Sequence, residues 1–305
     1  MRFALLVAFA ALCGLAQTAS ADSISVGGIA RTYELHRPPI LAATKQAMPL
    51  LIVLHGIGGS GARVRQYLGM DAVATKQGFA VAYPDAIGGS WNDGRFASEA
   101  IKERAGGDDV AFLKALAQTL GGRGIGSRGD AAIAGISNGG LMVYRLACET
   151  SGVFSAYVAM LANMPVDLLK TCRPGLPTPM LILAGTGDQI MPYSGGKMAS
   201  AAGGVVQSAD ETFRYWGQAN RCAGPGNPVP LPDLDKGDGT KVEVLTAQRC
   251  ASRGDTIFLR VVGGGHQLPS RPAAQRGGAD RGTGAANHDI DAAEEIWSFA
   301  AGNRR

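Results

Sequence analysis

Short apolar runs alternate along this chain with longer stretches in which apolar residues recur every three or four positions. Leu50-Leu51-Ile52-Val53-Leu54, Phe79-Ala80-Val81-Ala82-Tyr83, Ala131-Ala132-Ile133-Ala134, Phe154 to Leu161, Met180-Leu181-Ile182-Leu183 and Thr256 to Val262 have the length and composition of buried strands. Pro84 stops the second of them. Ile24-Ser25-Val26 and Arg31 to Leu35 flank Gly27-Gly28 and predict an opening hairpin. Helical spacing follows Asp109, a candidate cap, with Val110, Leu113, Leu116 (or Ala117) and Leu120 on one face. It returns from Leu141-Met142-Val143, from Glu211 to Asn220, and after Asp291. There Glu294, three positions on, allows a capping-box-like start, and Ile296, Trp297, Phe299 and Ala300 form the apolar side. Strands alternating with helices predict the α/β class: a mostly parallel central sheet with helices on both faces.

Two stretches break the pattern. Residues 223–241 are rich in Pro, Gly and Asp, and residues 270–287 in Gly, Arg and Ala. Both read as surface insertions too short to be domains. At the N-terminus, Met1-Arg2, the apolar or small run Phe3 to Ala16 and the sequence Ala19-Ser20-Ala21 have the three parts of a secretory signal peptide. The run is too short for a membrane span, which takes about 20 residues. The expected organisation is a signal peptide over 1–21 and one domain over 22–305, in a secreted or periplasmic protein with no later membrane span.

Cleavage would remove Cys13 and leave Cys148, Cys172, Cys222 and Cys250. An even count in an exported chain points to two disulfides. Sequence neighbourhood favours Cys148 with Cys172 and Cys222 with Cys250 among the three connectivities. With no C-x-x-C pair and no suitable His spacing, zinc is not expected, and no metal or organic cofactor is implied. The formal charge of +4 is scattered rather than striped, which gives no case for nucleic-acid binding.

Gly135-Ile136-Ser137-Asn138-Gly139 has the form G-x-S-x-G between an apolar run and a helical pattern, the setting of a nucleophile elbow. A serine hydroxyl needs a base to take its proton, and the base needs an orienting acid. In this type of site the chain order is Ser, acid, His. His266, carried on Gly263-Gly264-Gly265 after the last strong strand, is the candidate base, with His288 as the alternative. Asp188 is the candidate acid, because it follows the Met180–Leu183 strand through a glycine-rich loop; Asp210 reads as part of a helix start. An oxyanion hole needs two amide donors. Asn138 would supply one and Ile57 or Gly58, in His55-Gly56-Ile57-Gly58-Gly59, the other. His55 is expected to hold that loop by hydrogen bonds.

The chain resembles the secreted esterases related to polyhydroxybutyrate depolymerases and to feruloyl or acetylxylan esterases. The resemblance rests on Pro49–Gly61, Tyr83-Pro84-Asp85, Ser90-Trp91-Asn92-Asp93-Gly94, Asp108-Asp109-Val110, Gly135–Gly140, Gly185–Gly196 and Gly263-Gly264-Gly265-His266. It implies an α/β-hydrolase fold, a triad of Ser137, Asp188 and His266, support for the two cysteine pairs, and Trp91 and Asn92 as a pocket-side pair. The sequence departs from that family's usual Thr-Trp-Pro-Gly continuation after the Gly-Gly-His turn, reading Gln267-Leu268-Pro269-Ser270. The expected activity is hydrolysis of a carboxylic ester. Polyester or oligomer is the first substrate class, and a polysaccharide-linked feruloyl or acetyl ester the second. A serine peptidase and a non-catalytic secreted binding protein are the remaining alternatives.

Overall fold

The computed structural model describes residues 21–39, 47–95, 107–126, 130–199, 203–271 and 283–304. The expected signal peptide, up to residue 20, and most of the 270–287 insertion lie outside them.

In chain order the elements are β1 (Asp22–Val26), β2 (Ile29–His36), β3 (Leu50–Leu54), α1 (Gly61–Leu68), α2 (Met70–Gln77), β4 (Ala80–Pro84), α3 (Asp109–Gly122), β5 (Ala131–Ile136) and α4 (Asn138–Glu149). There follow β6 (Tyr157–Met160), α5 (Val166–Leu169), β7 (Met180–Gly185), β8 (Gly196–Lys197), β9 (Val205–Val206) and α6 (Ala209–Ala219). The last are β10 (Gly224–Pro225), β11 (Val229–Pro230), β12 (Lys241–Gln248), β13 (Thr256–Val262) and α7 (Ala292–Gly302).

The main sheet has the order β1-β2-β4-β3-β5-β6-β7-β13-β12-β10, with β11 paired to β12. From β4 to β13 the strands are parallel; β1, β2 and β12 run antiparallel at the edges. The parallel strands are buried on both faces, so they read as continuous apolar runs rather than alternating ones. One face packs on α3, α4 and α6 through Phe112, Leu116, Leu141, Tyr144, Phe213 and Trp216. The other packs on α1, α2 and α7 through Val64, Leu68, Met70, Ala74, Ile296 and Trp297. Trp297 stacks on Phe79 with ring centroids 3.5 Å apart.

Several elements differ from the sequence reading. Asp108, not Asp109, caps α3, its carboxylate accepting from the Ala111 N–H at 2.9 Å. Asp109 is turned inward instead and pairs with buried Arg31 at 2.6 Å. The predicted strand over 154–161 shortens to Tyr157–Met160, because only this part finds partners between β5 and β7. The 223–241 stretch holds two short strands, β10 and β11, that edge β12. The α6 start carries a full capping box between Ser208 and Glu211. Cys148–Cys172 and Cys222–Cys250 are disulfide-bonded.

After β3 the chain builds toward one edge of the sheet through β4, then returns to build the other way through β5, β6 and β7. The carboxyl ends of β3 and β5 therefore flank the topological switch point, where open α/β sheets place their ligands. The His55–Gly59 loop leaves β3 there, and Ser137 leaves β5.

Candidate active site

Ser137 is the single residue between β5 and α4, held at φ 55° and ψ −117°. A non-glycine residue in this region stores roughly 1–3 kcal/mol of backbone strain. The neighbouring glycines make the bend sterically feasible. A Cβ on Gly135 would run into the Gly139 carbonyl. One on Gly139 would lie 2.6 Å from the Leu54 oxygen and 2.7 Å from the His55 oxygen. The Ser137 N–H is tied to the Met160 carbonyl at 2.9 Å, which fixes the elbow to β6. The Asn138 amide, at the first position of α4, is among the N–H groups a helix leaves without an internal partner.

The loop after β3 faces this elbow. A Cβ on Gly56 would sit 3.5 Å from Ser137 Cβ, so the two backbones are in close apposition. His55 is buried. Its Nε2 accepts from the Ala86 N–H at 3.1 Å, so Nδ1 carries the proton and donates to the Gly56 carbonyl at 2.7 Å. Burial pushes the imidazole pKa below its ordinary value, which keeps it neutral in that role.

The same loop distinguishes the two expected donors. The Gly58 N–H is committed to the Gly89 carbonyl at 2.8 Å, and that of Gly59 to the Gly56 carbonyl at 3.1 Å. Among the described residues the Ile57 N–H makes no backbone hydrogen bond, so of the two predicted donors Ile57 is the one left available.

Trp91 has no exposed surface. Its indole N–H donates to the His55 carbonyl at 2.9 Å, and its ring lies tilted against the His55 ring at 5.1 Å. It props the oxyanion-side loop from beneath. Asn92 is half-buried; its N–H donates to Asp109 at 2.8 Å and its carbonyl accepts from Arg145 at 2.6 Å.

The Asn138 side chain ties elbow and loop together. Its Oδ1 accepts from the Trp91 N–H at 2.8 Å, and its Nδ2 donates to the Trp91 carbonyl at 3.1 Å and to Asp93 Oδ2 at 2.6 Å. Asp93 is fully buried and is neutralised by buried Arg95, whose Nε and Nη2 reach its two oxygens at 2.6–2.9 Å. Arg95 Nη1 then donates to the Gly203 carbonyl at 2.8 Å. Sequence reasoning matched Asp93 only as part of a motif and missed Arg95 altogether. The buried Asp-x-Arg pair was the signal available, and nothing in a linear reading says that such a pair is buried.

Asp188 and His266 come together from the ends of β7 and β13. His266 Nδ1 lies 2.7 Å from Asp188 Oδ2. The carboxylate side chain is 2 % exposed and the imidazole 12 %, so the acid is enclosed and the base keeps an open side. Asp188 Oδ1 accepts from the amides of Ile190 (2.8 Å) and Met191 (2.7 Å), which fixes the carboxylate plane. With Nδ1–H donating to Asp188, Nε2 is left as a hydrogen-bond acceptor. Backbone bonds hold the base loop: Gly187 N–H to Gly264 O at 2.8 Å, Gly265 N–H to Ala285 O at 2.8 Å and His266 N–H to Thr283 O at 2.7 Å. Among the described residues Ser137 Oγ makes no hydrogen bond, to His266 or to any other group; such bonds often tighten only around a bound substrate.

The alternative partners are engaged elsewhere. His288 Nδ1 pairs with the Ser270 carbonyl, and its N–H donates to Asp238. Asp210 accepts from the Tyr193 hydroxyl and pairs with Arg260. No cluster of three or more metal-ligating side chains occurs among the described residues. A small pocket of about 100 Å³ opens along the His55–Gly59 loop and is closed by Arg63, Val64, Gln66 and Tyr67 of α1.

Comparison with known proteins fits this architecture. Residues 68–173 match the prolyl oligopeptidase family profile. Over 292 residues the chain is 28% identical to the putative esterase NocK of Nocardia uniformis subsp. tsuyamanensis, covering 90% of this chain and 82% of that one. Over 215 residues it is 27% identical to feruloyl esterase B of Piromyces equi, covering 66% of this chain and 39% of that longer protein. The acetyl xylan esterase from Aspergillus awamori superposes with a TM-score of 0.57 at 13% identity, over 83% of this chain and 96% of that one. Fold and relatives together give the chain the α/β-hydrolase fold and sequence similarity to a putative esterase and a feruloyl esterase.

Proposed function

We propose that this protein is an exported serine esterase that works through an acyl-enzyme on Ser137. Ser137 Oγ attacks the ester carbonyl while His266 Nε2 takes its proton. His266 then returns the proton to the leaving alcohol. Asp188 holds the imidazole in the Nδ1–H tautomer and stabilises the imidazolium. The amides of Asn138 and Ile57 receive the oxyanion; losing one such donor costs about 3–4 kcal/mol of transition-state stabilisation. Water repeats the cycle to release the acid. The observation that carries this reading is the buried Asp188 carboxylate, 2.7 Å from an imidazole whose other nitrogen is open, in a chain whose elbow strains one serine. Export rests on the two disulfides and on the signal-like residues 1–21.

For the substrate, the motif resemblance favours a short-chain hydroxyalkanoate polyester or its oligomers. The names of the relatives favour a feruloyl or acetyl ester of plant polysaccharide. A serine peptidase is supported only by the partial prolyl oligopeptidase match, which spans residues 68–173. A panel of hydroxybutyrate oligomers, ethyl ferulate, acetylated xylan and a chromogenic peptide separates the three. Hydroxybutyrate oligomers are expected to give the highest kcat/KM. A clear preference for ferulate or acetylated xylan overturns the polyester reading, and peptide cleavage without ester cleavage overturns the esterase.

A further inference from the structure

The pocket along the His55–Gly59 loop takes no part in the steps above, yet it shares a wall with them. A Cβ on Gly56 would lie 3.5 Å from Ser137 Cβ, and Ile57 carries an amide without a backbone hydrogen bond among the described residues. The opposite wall is α1, which contributes Arg63, Val64, Gln66 and Tyr67. Among the described residues the lining contains one cation and no carboxylate. Arg63 is exposed and has no acidic partner among the described residues; its only side-chain hydrogen bond is a long one, 3.4 Å, to the Gly58 carbonyl. No acidic residue stands in the first turn of α1. Asp85, bonded at the start of α1, is already committed: its two oxygens accept from the Gly61 N–H and the Thr32 hydroxyl. A guanidinium at the mouth of an acid-free pocket, next to the oxyanion-side loop, is a receptor for a planar anion.

We propose that this pocket is a subsite for a carboxylate on the leaving-alcohol side of the ester, with Arg63 as its specificity-determining residue. The proposal rests on the hydroxyalkanoate reading above. In a short oligomer of a hydroxy acid, cleavage of the terminal ester makes the free hydroxy acid the leaving alcohol, so a carboxylate lies a few bonds from the scissile oxygen. Neutral acetyl esters of a polysaccharide have no such group to offer. Arg63 therefore favours cleavage at the acid end of a short chain over cleavage within a long one.

The test compares the 3-hydroxybutyrate dimer with its terminal primary amide, in the wild type and in Arg63→Gln, with p-nitrophenyl butyrate as the reference ester. The wild type is expected to favour the acid over the amide by about five- to tenfold in kcat/KM, carried by KM, the size of one partly exposed charged contact. Arg63→Gln is expected to abolish that preference. An unchanged acid-to-amide ratio in the variant overturns the subsite, as does an equal fall for both. If the wild type cleaves p-nitrophenyl butyrate but neither dimer form, the hydroxyalkanoate reading fails. The subsite is then tested by free 3-hydroxybutyrate as an inhibitor of p-nitrophenyl butyrate hydrolysis. Weaker inhibition in Arg63→Gln sustains an anion pocket, and equal inhibition in the two proteins refutes it.

Discussion

On the nucleophile side, the Asn138 side chain alone exchanges three hydrogen bonds with residues 91–93, and beneath it Asp93 and Arg95 form a buried ion pair. On the base side, His266 stands on a glycine turn held by backbone bonds to 187, 283 and 285, with Asp188 as its charged contact among the described residues. The first arrangement fixes the Asn138 side of the proposed oxyanion hole. It uses buried polar groups that are costly to disturb, because each would be left unpaired. The second lets one ring present an open nitrogen while its other nitrogen is held. On the proposed mechanism, such a site would keep its oxyanion side preorganised.

The contrast can be broken from either side. Ser137→Ala is expected to lower kcat by about 10⁴–10⁶-fold with no loss of folding, checked by ester hydrolysis alongside thermal unfolding. Asp188→Asn, which keeps the shape but upsets the tautomer, should cost about 10⁴-fold in kcat with little change in KM. Asp93→Asn should behave differently. It leaves the Arg95 guanidinium buried without its counter-charge and costs about 3–5 kcal/mol of stability, read from denaturant midpoints. Activity should fall with it, because Asn138 loses an anchor. If Asp93→Asn is fully stable, the buried pair is not what holds the elbow. Replacing Cys222 and Cys250 together by serine should cost about 2–4 kcal/mol of stability and spare kcat, since that bridge staples the β10 and β12 edge away from Ser137.

The smallest effect concerns pH. His55 has its pKa lowered by burial, so the folded state binds its proton less readily than the unfolded chain does. The stability it contributes is full above its unfolded value, about 6.5, and declines as pH falls from there toward the folded value. Melting temperatures of the wild type should drop over that interval, and His55→Gln should show a flatter profile. A wild-type profile no steeper than the variant's contradicts the neutral, buried role of His55.

The parallel strands and the elbow were legible because burial on both faces makes continuous apolar runs, and because Ser137 must have glycines around it. Chain order and strand ends singled out Asp188 and His266, which the structure places 2.7 Å apart. Helices α1 and α2 were not legible: Arg63, Arg65, Gln66 and Lys76 break their apolar spacing, and Gly69 and Gly78 end them quickly. Strand β12 was hidden for a related reason, since Lys241, Glu243, Thr246 and Gln248 interrupt its buried Val242, Leu245 and Ala247. Gly58 and Trp91 show a third limit. A sequence names the donors and the rings, while which N–H is already spent and which face is covered depend on contacts with residues 86–91.

The measurement closest to the centre of this account is chemical trapping of the acyl-enzyme. The protein is mixed with p-nitrophenyl butyrate, quenched in acid during the first turnover and digested, and the acylated peptide is located by mass spectrometry. The account predicts a butyryl group on Ser137, accumulating in step with the nitrophenol burst and absent from Ser137→Ala. Turnover with the acyl group on any other residue, or an undiminished rate in Ser137→Ala, would contradict it.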